Sequence, residues 1–353
     1  MPLTVDIIKR LQGFTLNVSL TAEAGVTALL GASGSGKSMT LRCIAGVEKP
    51  DEGRIALDGR VLYDSGEKID LPPQERRVGY LFQRYALFPN MTVLQNIDAG
   101  LSRERDARIK QAKRESLISR FRLDGLEQRY PRELSGGQMQ RVAVCRMLAG
   151  EPEAILLDEP FAALDSHLRW QLEGEVKQTL SEFSGVALLV SHDRGEVYRM
   201  SQRVCVLNDG ASEPVLGTAE LFDYPRTLQA ALITGCKNCV PAEILSQGVI
   251  HVPDWNARLA CAQAADGAIT HTGIRAHYIL PCAAEVENAL YCRVVEAADD
   301  VFSRVLTLLP AGGTGTIRVE LSRAAGERFI PGSEGWFCLP KEHIMLLRET
   351  HER

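Results

Sequence analysis

No apolar run in this chain of 353 residues reaches the length needed to span a bilayer. That excludes a helical membrane protein. Positive charge is not in excess either: 40 Lys and Arg stand against 45 Asp and Glu, a formal net charge of −5. No broad basic field for nucleic acid or anionic lipid is therefore expected. Met1-Pro2-Leu3-Thr4 leads straight towards structured sequence, without the pattern of a signal peptide. The nine cysteines are scattered and odd in number, which excludes a simple disulfide framework and suits reduced thiols. Cys236-Lys237-Asn238-Cys239 has the spacing of half a metal site, but no second close Cys or His pair follows, so it reads as a turn. The length is too great for one ordinary domain and sufficient for two.

What is present begins with Gly31-Ala32-Ser33-Gly34-Ser35-Gly36-Lys37-Ser38. It fits the phosphate-cradling pattern G-x-x-x-x-G-K-[ST]. Gly25-Val26-Thr27-Ala28-Leu29-Leu30 before it reads as a buried strand, and Ser38 to Ala45 after it has helical apolar spacing. Strand, glycine loop and helix are the context the chemistry needs. Amides at a helix start attract phosphate, and glycines let the backbone approach it closely. Lys37 supplies a cation for the outer phosphates, with Met39 next along the nucleotide-binding run, and the Ser38 hydroxyl is a ligand for Mg²⁺. Further on, Ala154-Ile155-Leu156-Leu157-Asp158-Glu159 is an apolar strand ending in two carboxylates. Asp158 is the expected partner of Mg²⁺, and Glu159 is placed to polarise an attacking water.

Between them lies Leu134-Ser135-Gly136-Gly137-Gln138. Here the chain resembles the ABC (ATP-binding cassette) ATPases, whose signature is LSGGQ. Gln83 in Tyr80-Leu81-Phe82-Gln83 matches that family's Q-loop, Ala163-Leu164-Asp165 its D-loop, and Val190-Ser191-His192-Asp193 its switch histidine. The likeness covers about residues 3–230. It implies an α/β P-loop NTPase with a RecA-like core, an antiparallel β subdomain and a helical subdomain, binding ATP and Mg²⁺. It also implies that Glu159, His192 and Gln83 are catalytic and that Gln83 joins Ser38 and Asp158 at the metal. Ser135, Gly136, Gly137 and Gln138 would meet the nucleotide of a second copy, because two cassettes of this family pack head to tail. The resemblance further implies integral membrane permease subunits as partners, an extracytoplasmic binding protein acting indirectly, no nucleic acid, and a peripheral place at the cytoplasmic membrane face. Tyr85-Ala86-Leu87-Phe88-Pro89-Asn90-Met91-Thr92-Val93 is the segment expected to dock the permease.

Residues 1–235 read as the ATPase domain, with the helical subdomain at about 84–150. Arg103 to Phe121 looks helical and charged. From 236 to 353 the chain turns to short β-rich runs between Gly and Pro turns, such as Arg304-Val305-Leu306-Thr307-Leu308-Leu309 and Thr316-Ile317-Arg318-Val319-Glu320-Leu321. A small all-β, OB-like accessory domain is expected there. Gly273-Ile274-Arg275-Ala276-His277 resembles a segment of such domains in importer ATPases. Oxyanion sensing, with Ser303, Arg304, Ser322, Arg323 and Lys341 as candidates, and a purely structural role both stay open.

The segments Gly59 to Ser65 and Ile69 to Gln83 look most like the molybdate importer ATPases, so molybdate or tungstate uptake powered by ATP hydrolysis is the expected function. Sulfate and polyamine importers share the Pro-x-x-x-Arg pattern, and a sulfate, polyamine or sugar importer is the alternative; a non-transport ABC ATPase is the alternative of another class. One departure stands out. Val5 to Gln12 lacks the aromatic that stacks adenine in this family. Phe14 is nearest, and its alternation with Leu16, Val18 and Leu20 suggests core, so phosphate contacts are expected to dominate binding.

Overall fold

The computed structural model describes residues 2–83, 85–162, 166–264 and 267–349, and for 166–168 the backbone only. Two compact units result, Met1–Thr218 and Ala219–Arg353.

The first unit is built on one mixed sheet. Its antiparallel half is β1 (Leu3–Leu11), β2 (Phe14–Ala22), β4 (Glu52–Leu57), β5 (Arg60–Asp64) and β6 (Ile69–Asp70). Its parallel half runs in the order β10 (Arg203–Asn208), β3 (Gly25–Gly31), β9 (Val186–Val190), β8 (Ala154–Asp158) and β7 (Val78–Leu81). Two short strands, β11 (Ala211–Ser212) and β12 (Leu216–Gly217), pair with β10, and β11 also joins it to β2. Strands β3, β8 and β9 are almost wholly buried, which is why they read as unbroken apolar runs. Around the sheet lie α1 (Lys37–Ala45), α2 (Pro73–Arg76), α3 (Val93–Gly100), α4 (Ala107–Arg120), α5 (Gly136–Ala149), α6 (Ser166–Glu182) and α7 (Arg194–Met200). The charged stretch from Arg103 forms its helix only from Ala107, because Asp106 caps the amides of Arg108 and Ile109.

Register decides what meets at the sheet's carboxyl edge. Leu29 pairs with Val190, Val190 with Asp158, and Leu81 with Leu157. The loops leaving β3, β7, β8 and β9 therefore emerge side by side. In open parallel sheets that edge is where ligands bind.

The second unit opens with α8 (Thr218–Asp223, from its second residue) and α9 (Leu228–Ile233). The reading of the sequence placed the change of composition after Gly235; the contacts place residues 219–235 with the β-rich part. Arg275 shows why: its guanidinium donates to the carbonyls of Phe222 and Thr234 and to the Thr234 hydroxyl. The remaining elements are β13 (Asn238–Pro241), β14 (Glu243–Ser246), β15 (Val249–Val252), β16 (Ala257–Ala260), β17 (His271–Ile274), β18 (Leu280–Pro281), β19 (Ala289–Asp299), β20 (Ser303–Pro310), β21 (Ile317–Ser322), α10 (Arg323–Gly326), β22 (Glu334–Cys338) and β23 (Met345–Leu347). The strands form three antiparallel sheets around one core that includes Ile250, Trp255, Leu306, Val319 and Phe337.

Candidate functional site

The glycine loop joins β3 to α1 through two left-handed glycines, Gly34 at φ 83° and Gly36 at φ 102°. A Cβ on Gly36 would stand 2.4 Å from Leu16 Cδ1, so no other residue fits there without displacement. A Cβ on Gly34 would meet only open space, so its requirement is the backbone angle. Lys37 is 6 % exposed. Its ammonium donates to the carbonyls of Gly31 at 2.9 Å and Ala32 at 2.8 Å, which curls the loop around it. Burial pulls this group below the ordinary lysine range, while Glu159 and Asp158 oppose the shift.

At the end of β8 the two carboxylates diverge. Asp158 is 5 % exposed and accepts a proton from Ser38 Oγ at 2.7 Å and another from Tyr80 Oη at 2.8 Å. It forms no ion pair among the described residues. Glu159 has φ 46°, left-handed for a non-glycine residue, and its amide donates to the Val190 carbonyl. Strain of about 1–3 kcal/mol at such a residue is common where a side chain must be aimed. Its carboxylate accepts from Gln83 Nε2 at 3.0 Å and lies 3.3 Å from His192 Nδ1. The loop holding His192 is tied down by its neighbours: Ser191 donates to Glu196, and Asp193 caps the amides of Gly195 and Glu196.

A cavity of about 740 Å³ gathers these groups: Ser33, Gly34, Gly36, Lys37, Ser38, Met39, Gln83, Glu159 and His192 all line it. Leu11, Phe14 and Arg42 line it as well, and no motif marked them. Phe14 is half-buried and does pack against the core, but one side of it faces this cavity. Gly31, Ala32 and Ser35 lie within the loop behind it. The residues present suit a nucleoside triphosphate with a divalent cation: a loop whose glycines leave room, one buried lysine, and a nearly buried carboxylate bonded only to hydroxyls.

Ser135, Gly136, Gly137 and Gln138 are not among the residues lining that cavity. They begin α5, where Ser135 and Gln138 form a reciprocal cap. The D-loop match, Ala163-Leu164-Asp165, lies outside the described residues. Residues 85–92 run as a loop held by side-chain hydrogen bonds. Asn96, fully buried, donates to the carbonyls of Phe88, Met91 and Thr92 and accepts from the Phe88 amide. Arg146 donates to the carbonyls of Tyr85 and Ala86 and lies 5.1 Å from the Phe88 ring centroid. Phe88 remains 46 % exposed and Met91 38 %. In the second unit Ser303 stands opposite Ser322, while the basic candidates Lys341 and Arg304 are held by carboxylates. Lys341 pairs with Glu287 and Arg304 with Asp299. Ser303 and Ser322 share a cavity with the Glu320 carboxylate.

Comparison with known proteins agrees with this geometry. A family described as ABC transporter matches residues 15–162. The sulfate/thiosulfate import ATP-binding protein CysA of Burkholderia pseudomallei is 39% identical over 318 residues, 88% of this chain and 85% of that one. The molybdenum import ATP-binding protein ModC of Paramagnetospirillum magneticum is 41% identical over 208 residues, 59% of this chain and 57% of that one. Among solved structures, a dimeric post-hydrolysis state of an ATP-binding cassette bound to ADP and Pi superimposes with a TM-score of 0.53 at 28% identity, covering 62% of this chain and 99% of that one.

Proposed function

Since this chain belongs to the ABC transporter ATPase family, we propose that it hydrolyses ATP to power import of a tetrahedral oxyanion, molybdate or its tungstate analogue. The observation that carries the ATPase reading is the single cavity shared by Lys37, Ser38, Gln83, Glu159 and His192, with Asp158 bonded to Ser38 behind it. Lys37 and the loop amides bind the phosphates. Glu159 accepts the proton of the attacking water, and His192 and Gln83, in contact with its two carboxylate oxygens, hold it in aim. Ser38, Asp158 and Gln83 would hold Mg²⁺, which neutralises charge on the phosphate oxygens. ADP and inorganic phosphate leave as products.

The site lacks the signature residues of its own chain, so a second copy supplies Ser135–Gln138 in a head-to-tail homodimer. The exposed Phe88 and Met91, on a loop braced by Asn96 and Arg146, are the surface for a permease subunit at the cytoplasmic membrane face. A binding protein outside the membrane would deliver the anion.

Molybdate rests on the likeness of residues 59–83 to molybdate importers. Sulfate is the second reading, because the relatives matched over most of the chain carry that name. Uptake of radiolabelled molybdate by cells producing the chain with its permease decides the matter. Uptake unaffected by excess sulfate supports molybdate; uptake abolished by equimolar sulfate supports the second reading.

A further inference from the structure

The Tyr80 hydroxyl bonds Asp158, a contact to which the motifs assign no role. Strand β7 pairs with β8 so that Tyr80 stands opposite Leu156. Leu156 and Asp158 share a face of β8, because side chains repeat every second residue. The long Tyr80 side chain reaches along that face to Asp158 Oδ2, while Ser38 holds Oδ1. The ring is fixed beside Phe82, with centroids 4.1 Å apart, and packs on the nucleotide core.

Donor chemistry sets the direction of this chain of bonds. Arg42 lines the same cavity as Ser38. An ionised carboxylate can only accept, so the Tyr80 hydroxyl donates its hydrogen bond to Asp158 Oδ2. Ser38 likewise gives its only proton to Asp158, which turns its lone pairs outward. Arg42 lies one helical turn after Ser38 on α1, so both reach the same side. An aspartate carboxylate otherwise turns freely about a broad two-fold torsion. Donors on both oxygens fix its plane.

We propose that Tyr80 is a positioning residue for the divalent cation, holding the Asp158 carboxylate in the orientation that presents it and the Ser38 oxygen to the cavity. The proposal rests on the nucleotide reading given above. Tyr80→Phe keeps the ring and its packing and removes only the hydroxyl. Groups that orient metal ligands typically change metal affinity 10–100-fold.

The test uses the full chain and two readouts. Binding of Mn²⁺ to the ADP-loaded protein is followed by electron paramagnetic resonance, and binding of a fluorescent ADP is followed in EDTA. Tyr80→Phe should need about tenfold more Mn²⁺ than wild type, with metal-free nucleotide affinity within about twofold. Superimposable Mn²⁺ titrations would overturn the proposal. An equal loss of nucleotide affinity in EDTA would overturn it too, since that marks general damage. A wild-type chain without nucleotide-dependent Mn²⁺ binding would overturn the site reading itself, and the proposal with it.

Discussion

At the scale of single residues, the site separates binding from chemistry. Lys37 is buried, curled into its own loop and distant from any role in proton transfer. Lys37→Ala should therefore lose nucleotide binding outright, which equilibrium dialysis with ATP reads; unchanged affinity would contradict the assignment. Base recognition is a different matter. The cavity offers Leu11, Phe14 and Met39, apolar surfaces without a fixed pattern of donors for a purine edge. ATP and GTP should then compete within about a hundredfold, or about 2.7 kcal/mol. A larger preference in competition binding would show that specific base contacts exist. The loop glycines, Lys37, Asp158 and Glu159 are legible in sequence because each lies at a strand end next to a telling neighbour. Tyr80 is not, because its meaning comes from a pairing of β7 with β8 that no local pattern encodes. Phe14 is half legible: alternation marks it as core, against which it packs, yet it is the first residue of β2 and also lines the cavity.

At the scale of elements, the orientation of α1 depends on a residue well beyond it. Arg76 is fully buried and donates to the carbonyls of Cys43 and Ile44 at the helix's end, to the Leu71 carbonyl and to Asp70. It satisfies orphan carbonyls of the helix that begins with Lys37. A Cβ on Gly46 would stand 2.6 Å from its Nε, so the left-handed glycine that ends the helix also leaves room for this arginine. Arg76→Ala removes this buried donor from carbonyls of which, among the described residues, only that of Cys43 keeps another bond, from the Gly46 amide, and should cost about 3 kcal/mol. The thermal midpoint of the first unit should fall by roughly 6–12 °C; a change under about 2 °C would refute the bracing role. Asn96 does the same for the loop that exposes Phe88. Asn96→Ala should leave the ATPase rate of the isolated chain near wild type while lowering transport with the permease. Equal loss of both would place Asn96 in the nucleotide site's support instead. The strand and helix around the glycine loop and the strand ending at Asp158 are readable from their apolar patterns. The sheet order is not, because strands distant in sequence become neighbours through long-range pairing. The grouping of residues 219–235 with the β-rich unit is not legible for the same reason: α9 carries no mark that Arg275, some forty residues later, bonds to its end.

At the scale of the whole molecule, the central claim is that one chain carries half of each site. The phosphate loop and Glu159 meet in one cavity, with Asp158 bonded to Ser38 behind it, and the signature turn does not line that cavity. A two-fold pair would bring each signature to the other chain's nucleotide, making two sites from one surface. Bound ATP would then hold the pair together, and loss of the γ-phosphate would loosen it. The most direct measurement is gel filtration of Glu159→Gln with Mg²⁺ and radiolabelled ATP, followed by analysis of the nucleotide in the eluted protein. Replacing the carboxylate keeps its shape and should slow hydrolysis by roughly 10²–10⁴. The account predicts a dimer peak that carries intact ATP, while wild type elutes as monomer with ADP. A monomer free of nucleotide, or a variant that turns over ATP at the wild-type rate, would contradict it.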